Sequence, residues 1–216
     1  MLRVEYWNRD DEVQKGPGAL VYLPLAAGGH VNCLVAPYPV LPFSTLSSLR
    51  RVSLDAPAGP VASAANGGIA RDWARRVWGE EERGFTLVEL TAPAVQAMLA
   101  ARATSRAVGS AAEGMRATLV RGDQGVLALR EESAKIARVE GETFETSDGI
   151  RGGLLVGEDG SLLAVTQRGK HREHNSLVDI VKEFLEDRKW QIRCHSLAVD
   201  TCFRGFSHAS RFHFIT

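Results

Sequence analysis

Three cysteines in 216 residues, Cys33, Cys194 and Cys202, are too few and too odd in number for a disulfide framework. An odd count suits a reducing compartment, and Cys33, inside an apolar run, reads as a buried small hydrophobe. No apolar run approaches the roughly 20 residues that a membrane-spanning helix needs. The opening MLRVEYWNRDDE is charged and lacks the apolar centre of a secretory signal. Neither charge sign is in excess: 26 Lys and Arg balance 26 Asp and Glu. No global field therefore draws the chain to nucleic acid or to an anionic membrane. These absences lead to the expectation of a soluble, cytoplasmic protein with no membrane partner.

What is present is an ordinary apolar fraction of 44%, enough for a proper core, in a length that suits one domain of two modules or two small domains. The most informative stretch runs from Glu142 to Gly169. Gly149-Ile150-Arg151-Gly152-Gly153 precedes the apolar run Leu154-Leu155-Val156. Glu158-Asp159-Gly160 then turns into Leu162-Leu163-Ala164-Val165. Two short strands about an Asp-Gly turn predict a hairpin. Three glycines in five residues allow a loop that side chains would forbid.

Strands are also predicted at Val4–Trp7, Ala19–Leu25, Val31–Pro37, Arg50–Leu54 and Gly84–Leu90, the last with Phe85, Leu87 and Glu89 on one face. Residues 55–68, rich in Ala, Gly and Pro, read as a loop. Ile69–Gly79 fits a short helix or, by alternation, a strand. Thr91–Arg106 reads as an Ala-rich connector with helical character from Pro93. Met115–Arg121 and Gly125–Leu129 form a hairpin pattern, and Ala134–Val139 and Thr143–Thr146 are further strands. Ser176–Trp190 is the best helix: Leu177, Ile180, Val181, Phe184 and Leu185 share a face, and Asn175 or Ser176 can cap it.

The glycine loop with its hairpin resembles the nucleophile loop of trypsin-like (chymotrypsin-fold) serine proteases. The order of the other elements resembles that family too, over residues 16–188. Val35-Ala36-Pro37, a turn and Val40-Leu41-Pro42-Phe43-Ser44-Thr45 stand where the family carries its catalytic histidine, and Gly84-Phe85-Thr86-Leu87 where it carries its aspartate. The resemblance implies an all-β fold of two six-stranded antiparallel β-barrels, with a C-terminal helix and a short extra segment. Its modules would be an N-terminal barrel over 1–92, a connector over 93–106, a second barrel over 107–175, the helix over 176–190 and an extension over 191–216.

It also places the three triad roles on Thr45, Gly84 and Arg151. The serine-protease mechanism needs a hydroxyl nucleophile, an imidazole base and a carboxylate to orient it. Arg151 has no nucleophilic oxygen, Thr45 accepts no proton near neutrality, and Gly84 has no side chain. The expectation is a pseudoprotease: no catalytic residue, no cofactor, no bound metal. Gly149 and the Arg151 and Gly152 amides would remain as a binding loop. The family's acid-specific members carry a histidine that maps near Thr166, so that element is absent as well.

His30 reads as a turn residue, and Ser147 as the maker of a local turn bond. His171 and His174 lie three apart, a spacing that would share a helical face. Cys194, His195, Cys202, His208 and His213 supply metal-ligand chemistry, but at no standard zinc spacing; solvent-facing histidines on a loop and tail are the plainer reading. The tail interleaves Arg193, Arg204 and Arg211 with Phe203, Phe206, Phe212 and Phe214. Basic plus aromatic composition suits single-stranded RNA, and equally a strand packed on a barrel or docked on a partner. Packing or docking is preferred, because Phe212-His213-Phe214-Ile215 alternates like a half-buried strand. The expected partner is a protein, bound through the inter-barrel cleft or the extension. RNA binding, or an enzyme with a relocated Cys/His site, is the alternative.

Overall fold

Alternation along the first long strands sends neighbouring side chains into two different cores. In β2 (Val13–Pro24), Leu20 joins the interior of an N-terminal module, whereas Ala19, Val21 and Leu23 face a second apolar layer. β3 (His30–Pro37) repeats this, with Leu34 and Ala36 on one side and Cys33 and Val35 on the other. All six residues of β7 (Phe85–Leu90) are buried: Val88 and Leu90 point inward, Phe85 and Leu87 outward. Glu89 follows the outward parity, and its carboxylate lies 3.8 Å from the guanidinium of Arg76.

The structure, a computed structural model, describes residues 1–7, 13–38, 40–41, 51–65, 73–122, 129–147, 153–166, 172–196 and 212–213. β1 (Leu2–Trp7), β4 (Arg51–Ala56), β5 (Gly59–Ala65), β6 (Ala74–Glu80) and β15 (Phe212–His213) complete the N-terminal sheet. Its order is β15-β6-β7-β3-β2-β1-β4-β5, and β8 (Ser105–Arg106) pairs in parallel with β2. Six more strands close an antiparallel barrel in the order β10-β11-β14-β13-β12-β9. They are β9 (Arg116–Gly122), β10 (Leu129–Glu140), β11 (Thr143–Thr146), β12 (Leu154–Gly157), β13 (Leu162–Thr166) and β14 (Glu173–Ser176). Leu119, Ile136, Phe144, Leu155 and Leu163 fill it. α1 (Ala92–Ala100), with proline in its first turn, lies between the modules in sequence, and α2 (Leu177–Ser196) follows the barrel.

The all-β, two-sheet architecture expected from the sequence is present; one sheet is the closed six-stranded antiparallel barrel, the N-terminal one has nine strands, and there are four local differences. Gly59–Ala65, read as loop, is strand β5: pairing with β4 across a tight turn outweighs the weak strand propensity of Ala, Gly and Pro. Ala74–Glu80 is a strand, so the alternation within Ile69–Gly79 was the truer signal than its helical spacing. Glu173–Ser176 is a strand, so His174 is not on a helix. α2 runs on to Ser196, beyond Trp190.

Its first turn is held by Ser176 and Lys182, which bond the Asp179 carboxylate; Lys182 foremost keeps that carboxyl below its usual range. Asn175, the other expected cap, is used elsewhere: its Nδ2 donates to the Arg83 carbonyl at 2.6 Å. The turn that contains Arg83, between β6 and β7, is thereby tied to the second barrel. It is tied to α2 as well, because the Arg83 guanidinium lies 2.9 Å from the Glu183 carboxylate.

The second apolar layer is the seam between the modules. Trp78 packs against Phe85 and Phe184 at ring separations of 5.2 and 6.0 Å, and Leu154, Leu162, Val165, Leu177 and Ile180 close it from the other side. Phe184 is buried, whereas Glu183 is partly solvated. Phe184→Ala is therefore expected to cost about 3–5 kcal/mol, and Glu183→Ala less than about 1 kcal/mol, both read from urea denaturation. Equal losses would show that the ion pair, not the seam, fastens the helix.

Candidate functional site

The glycine loop leaves β11 at Thr146 and re-enters the barrel at Gly153, just before β12. Residues 148–152 lie outside the described residues, but both stems of the loop are defined. They meet at one side chain, His174 on β14. Thr146 Oγ1 lies 3.1 Å from its Nε2, and Thr166 Oγ1 lies 3.2 Å from its Nδ1. Gly153 N–H donates to Thr166 Oγ1 at 3.0 Å, and the Thr166 hydroxyl reaches the Gly153 carbonyl at 3.3 Å. One proton arrangement satisfies every group: Nδ1–H donates to Thr166, Thr166 donates to Gly153, and Thr146 donates to the bare Nε2.

The ring is 1% exposed and stacks on Phe144 at 5.6 Å. Burial disfavours its charged form and lowers its pKa to about 4. A hydroxyl beside an imidazole has the form of an activated nucleophile. Here, however, both threonines are themselves buried, and both ring nitrogens are engaged. The cluster holds the two stems of the loop together and presents no base or nucleophile to solvent.

Gly153 is required by space. A Cβ added there would stand 2.3 Å from the Val120 carbonyl oxygen of β9, where only main chain could move away. Gly84 is required by conformation. Its φ is +77°, its N–H donates to the Glu80 carbonyl, and its own carbonyl accepts from Tyr38 N–H at 2.7 Å. The position that the resemblance assigns to the orienting carboxylate is thus a left-handed turn residue whose backbone is fully used.

Of the other expected site residues, Thr45, Gly149, Arg151, Gly152, Arg204 and Arg211 lie outside the described residues, and Arg193 is placed only as backbone within α2. Cys33 is buried in the seam, as expected. His30 is exposed and meets Tyr22 edge to face. Both line an open groove of about 540 Å³ with Arg75, Glu89, Leu99 and Ser105, none of them from the C-terminal barrel. Among the described residues no three His, Cys, Asp or Glu side chains gather as a metal site, and no helix is long and apolar enough to cross a membrane. In the proposed Cys/His tail set, Cys202 and His208 are outside the described residues.

The sequence reading missed the role of His174, which it treated as a loop histidine. The usable signal is Thr166, where the resemblance would put a histidine: His174 reaches that place from the neighbouring strand.

No protein-family model and no curated protein matches the chain by sequence. Solved structures resemble it in fold. Deg5 superposes with a TM-score of 0.54 at 12% identity, over 84% of this chain and 85% of that one. A thermostable serine protease, AL20, from an extremophilic microorganism gives 0.47 at 11% identity, over 81% and 89%. The tobacco vein mottling virus protease gives 0.45 at 12%, over 81% and 75%. The likeness to Deg5 and the strand order together establish the trypsin-like double-barrel fold, and at this identity they establish the fold alone.

Two outcomes follow from the cluster. His174 is neutral in the folded chain down to about pH 4, while an unfolded histidine takes up its proton near 6.5. Its contribution to stability is complete above pH 6.5 and is lost as pH falls from there to about 4, on the order of 3 kcal/mol in all. Urea midpoints measured across that window are expected to fall, and to fall less in His174→Gln. Gly153→Ala is expected to cost about 1–3 kcal/mol or more, since backbone must shift to admit the methyl; thermal denaturation reads it directly.

Proposed function

We propose that the chain is a non-catalytic, trypsin-like domain that binds protein, a scaffold or regulatory pseudoprotease. The observation that carries this reading is Gly84: the residue before β7 spends its backbone on a turn and has no carboxylate to orient a base. The sequence supplies the rest, with Thr45 in place of an imidazole and Arg151 in place of the nucleophile. Among the described residues the buried imidazole near the loop is His174, and it is committed to two threonines. On this reading Gly149 to Gly153, with no reactive side chain, serve as amide donors to a peptide carbonyl or carboxylate. They cannot open a covalent route.

The expected result is no hydrolysis of casein or of a peptide library, and no labelling by a fluorophosphonate. A capture experiment with the full chain as bait is expected to retain a protein partner, and to lose it when Arg151 is changed to Glu. Turnover abolished by a single substitution in this chain would overturn the reading.

A further inference from the structure

β6 is the last strand of the N-terminal sheet before the C-terminal segment returns to it. One of its edges pairs with β7 along its whole length, from Ala74 opposite Leu90 to Glu80 opposite Phe85. The other edge takes β15, antiparallel, through two register pairs: Phe212 opposite Trp78, and His213 opposite Val77. The strand behind this edge is firmly seated. Val77 and Trp78 are buried, and Trp78 is wedged between Phe85 and Phe184. Phe184 belongs to α2, so the helix that leads into the tail already rests on the strand to which the tail returns.

We propose that the outer edge of β6 is a peptide-docking site, that its occupant is this chain's own C-terminal segment, and that the segment binds the site as a separable ligand. An exposed strand edge is a template for any extended segment, and proteins cover such edges. Strand addition draws affinity from main-chain hydrogen bonds and selectivity from alternate side chains. The segment Phe212-His213-Phe214-Ile215 has the alternation and the aromatic and β-branched residues that suit an added strand. Residues 197–211 separate it from α2 in sequence and tether it at a reach of up to about 50 Å if fully extended, so the tail acts as a tethered competitor at its own site. Anything else that docks there must displace it. This site is distinct from the glycine loop, and its existence does not depend on the function proposed above.

The test uses a fluorescent peptide with the sequence of residues 208–216 and two proteins, the full chain and a chain ending at Ser196. Fluorescence polarisation is expected to show saturable binding to the shortened chain. Binding to the full chain should be at least about tenfold weaker, because a tethered segment competes at an effective concentration near the millimolar range. A peptide N-methylated at Phe212 and His213 should lose binding to the shortened chain. Equal binding to both proteins, equal binding of the methylated peptide, or no binding to a folded shortened chain would overturn the proposal. Should the shortened chain not fold, hydrogen exchange on the full chain decides: His213→Pro is expected to speed exchange of the β6 amides at least tenfold, and unchanged protection would overturn it.

Discussion

The apolar seam between the two modules is the constraint on which the rest of the structure depends. Strands β2, β3 and β7 give it Ala19, Val21, Leu23, Val31, Cys33, Val35, Phe85 and Leu87, and give the N-terminal interior Leu20, Leu34, Ala36, Val88 and Leu90. Neither module can therefore lose its partner without exposing the outward faces of three strands. At about 25 cal/mol for each Å² of apolar area, non-directional burial of this kind is the main favourable term in folding. The polar ties are arranged around it rather than in place of it. Asn175 holds a carbonyl of the β6–β7 turn, and Arg83 reaches Glu183 while lying over Phe85. They fix the angle at which an already favourable contact is made.

Much of this was legible because period-two patterns survive burial on both faces. Alternation puts Phe85, Leu87 and Glu89 on one face: Phe85 and Leu87 enter the seam, and Glu89, further along, meets Arg76. The hairpin of β12 and β13 announced itself through its Asp-Gly turn, where Gly160 takes a φ of +82° and the Asp159 carboxylate accepts from Ser161. The helix after the barrel was readable from a single apolar stripe. What failed to register in the sequence was decided by partners distant in the chain. The small residues of β5 form a strand only because β4 lies beside them. His174 gains its environment from Thr146, 28 positions away, and from Phe144. No local pattern encodes a contact of that separation.

The glycine loop shows the same division. Of its three glycines Gly153 alone lies among the described residues, and the reason for it is proximity, which depends on where β9 runs, rather than handedness. The reverse holds at Gly84, where the empty side chain was read as a loss of chemistry. It is equally a gain of geometry, since a left-handed turn is what lets the β6–β7 connection reach back to Tyr38. A carboxylate at this place would strain the turn that helps hold the barrels together.

Gly122, at the end of β9, sits against β2 so closely that a methyl group there would stand 2.7 Å from the Lys15 carbonyl and 2.8 Å from Gly16 Cα. Main chain meets main chain, with no intervening rotamer to flip. The modules therefore have no soft gasket at this corner: they cannot widen or narrow their separation by repacking a side chain. Their spacing at this corner is a gauge set by two bare backbones.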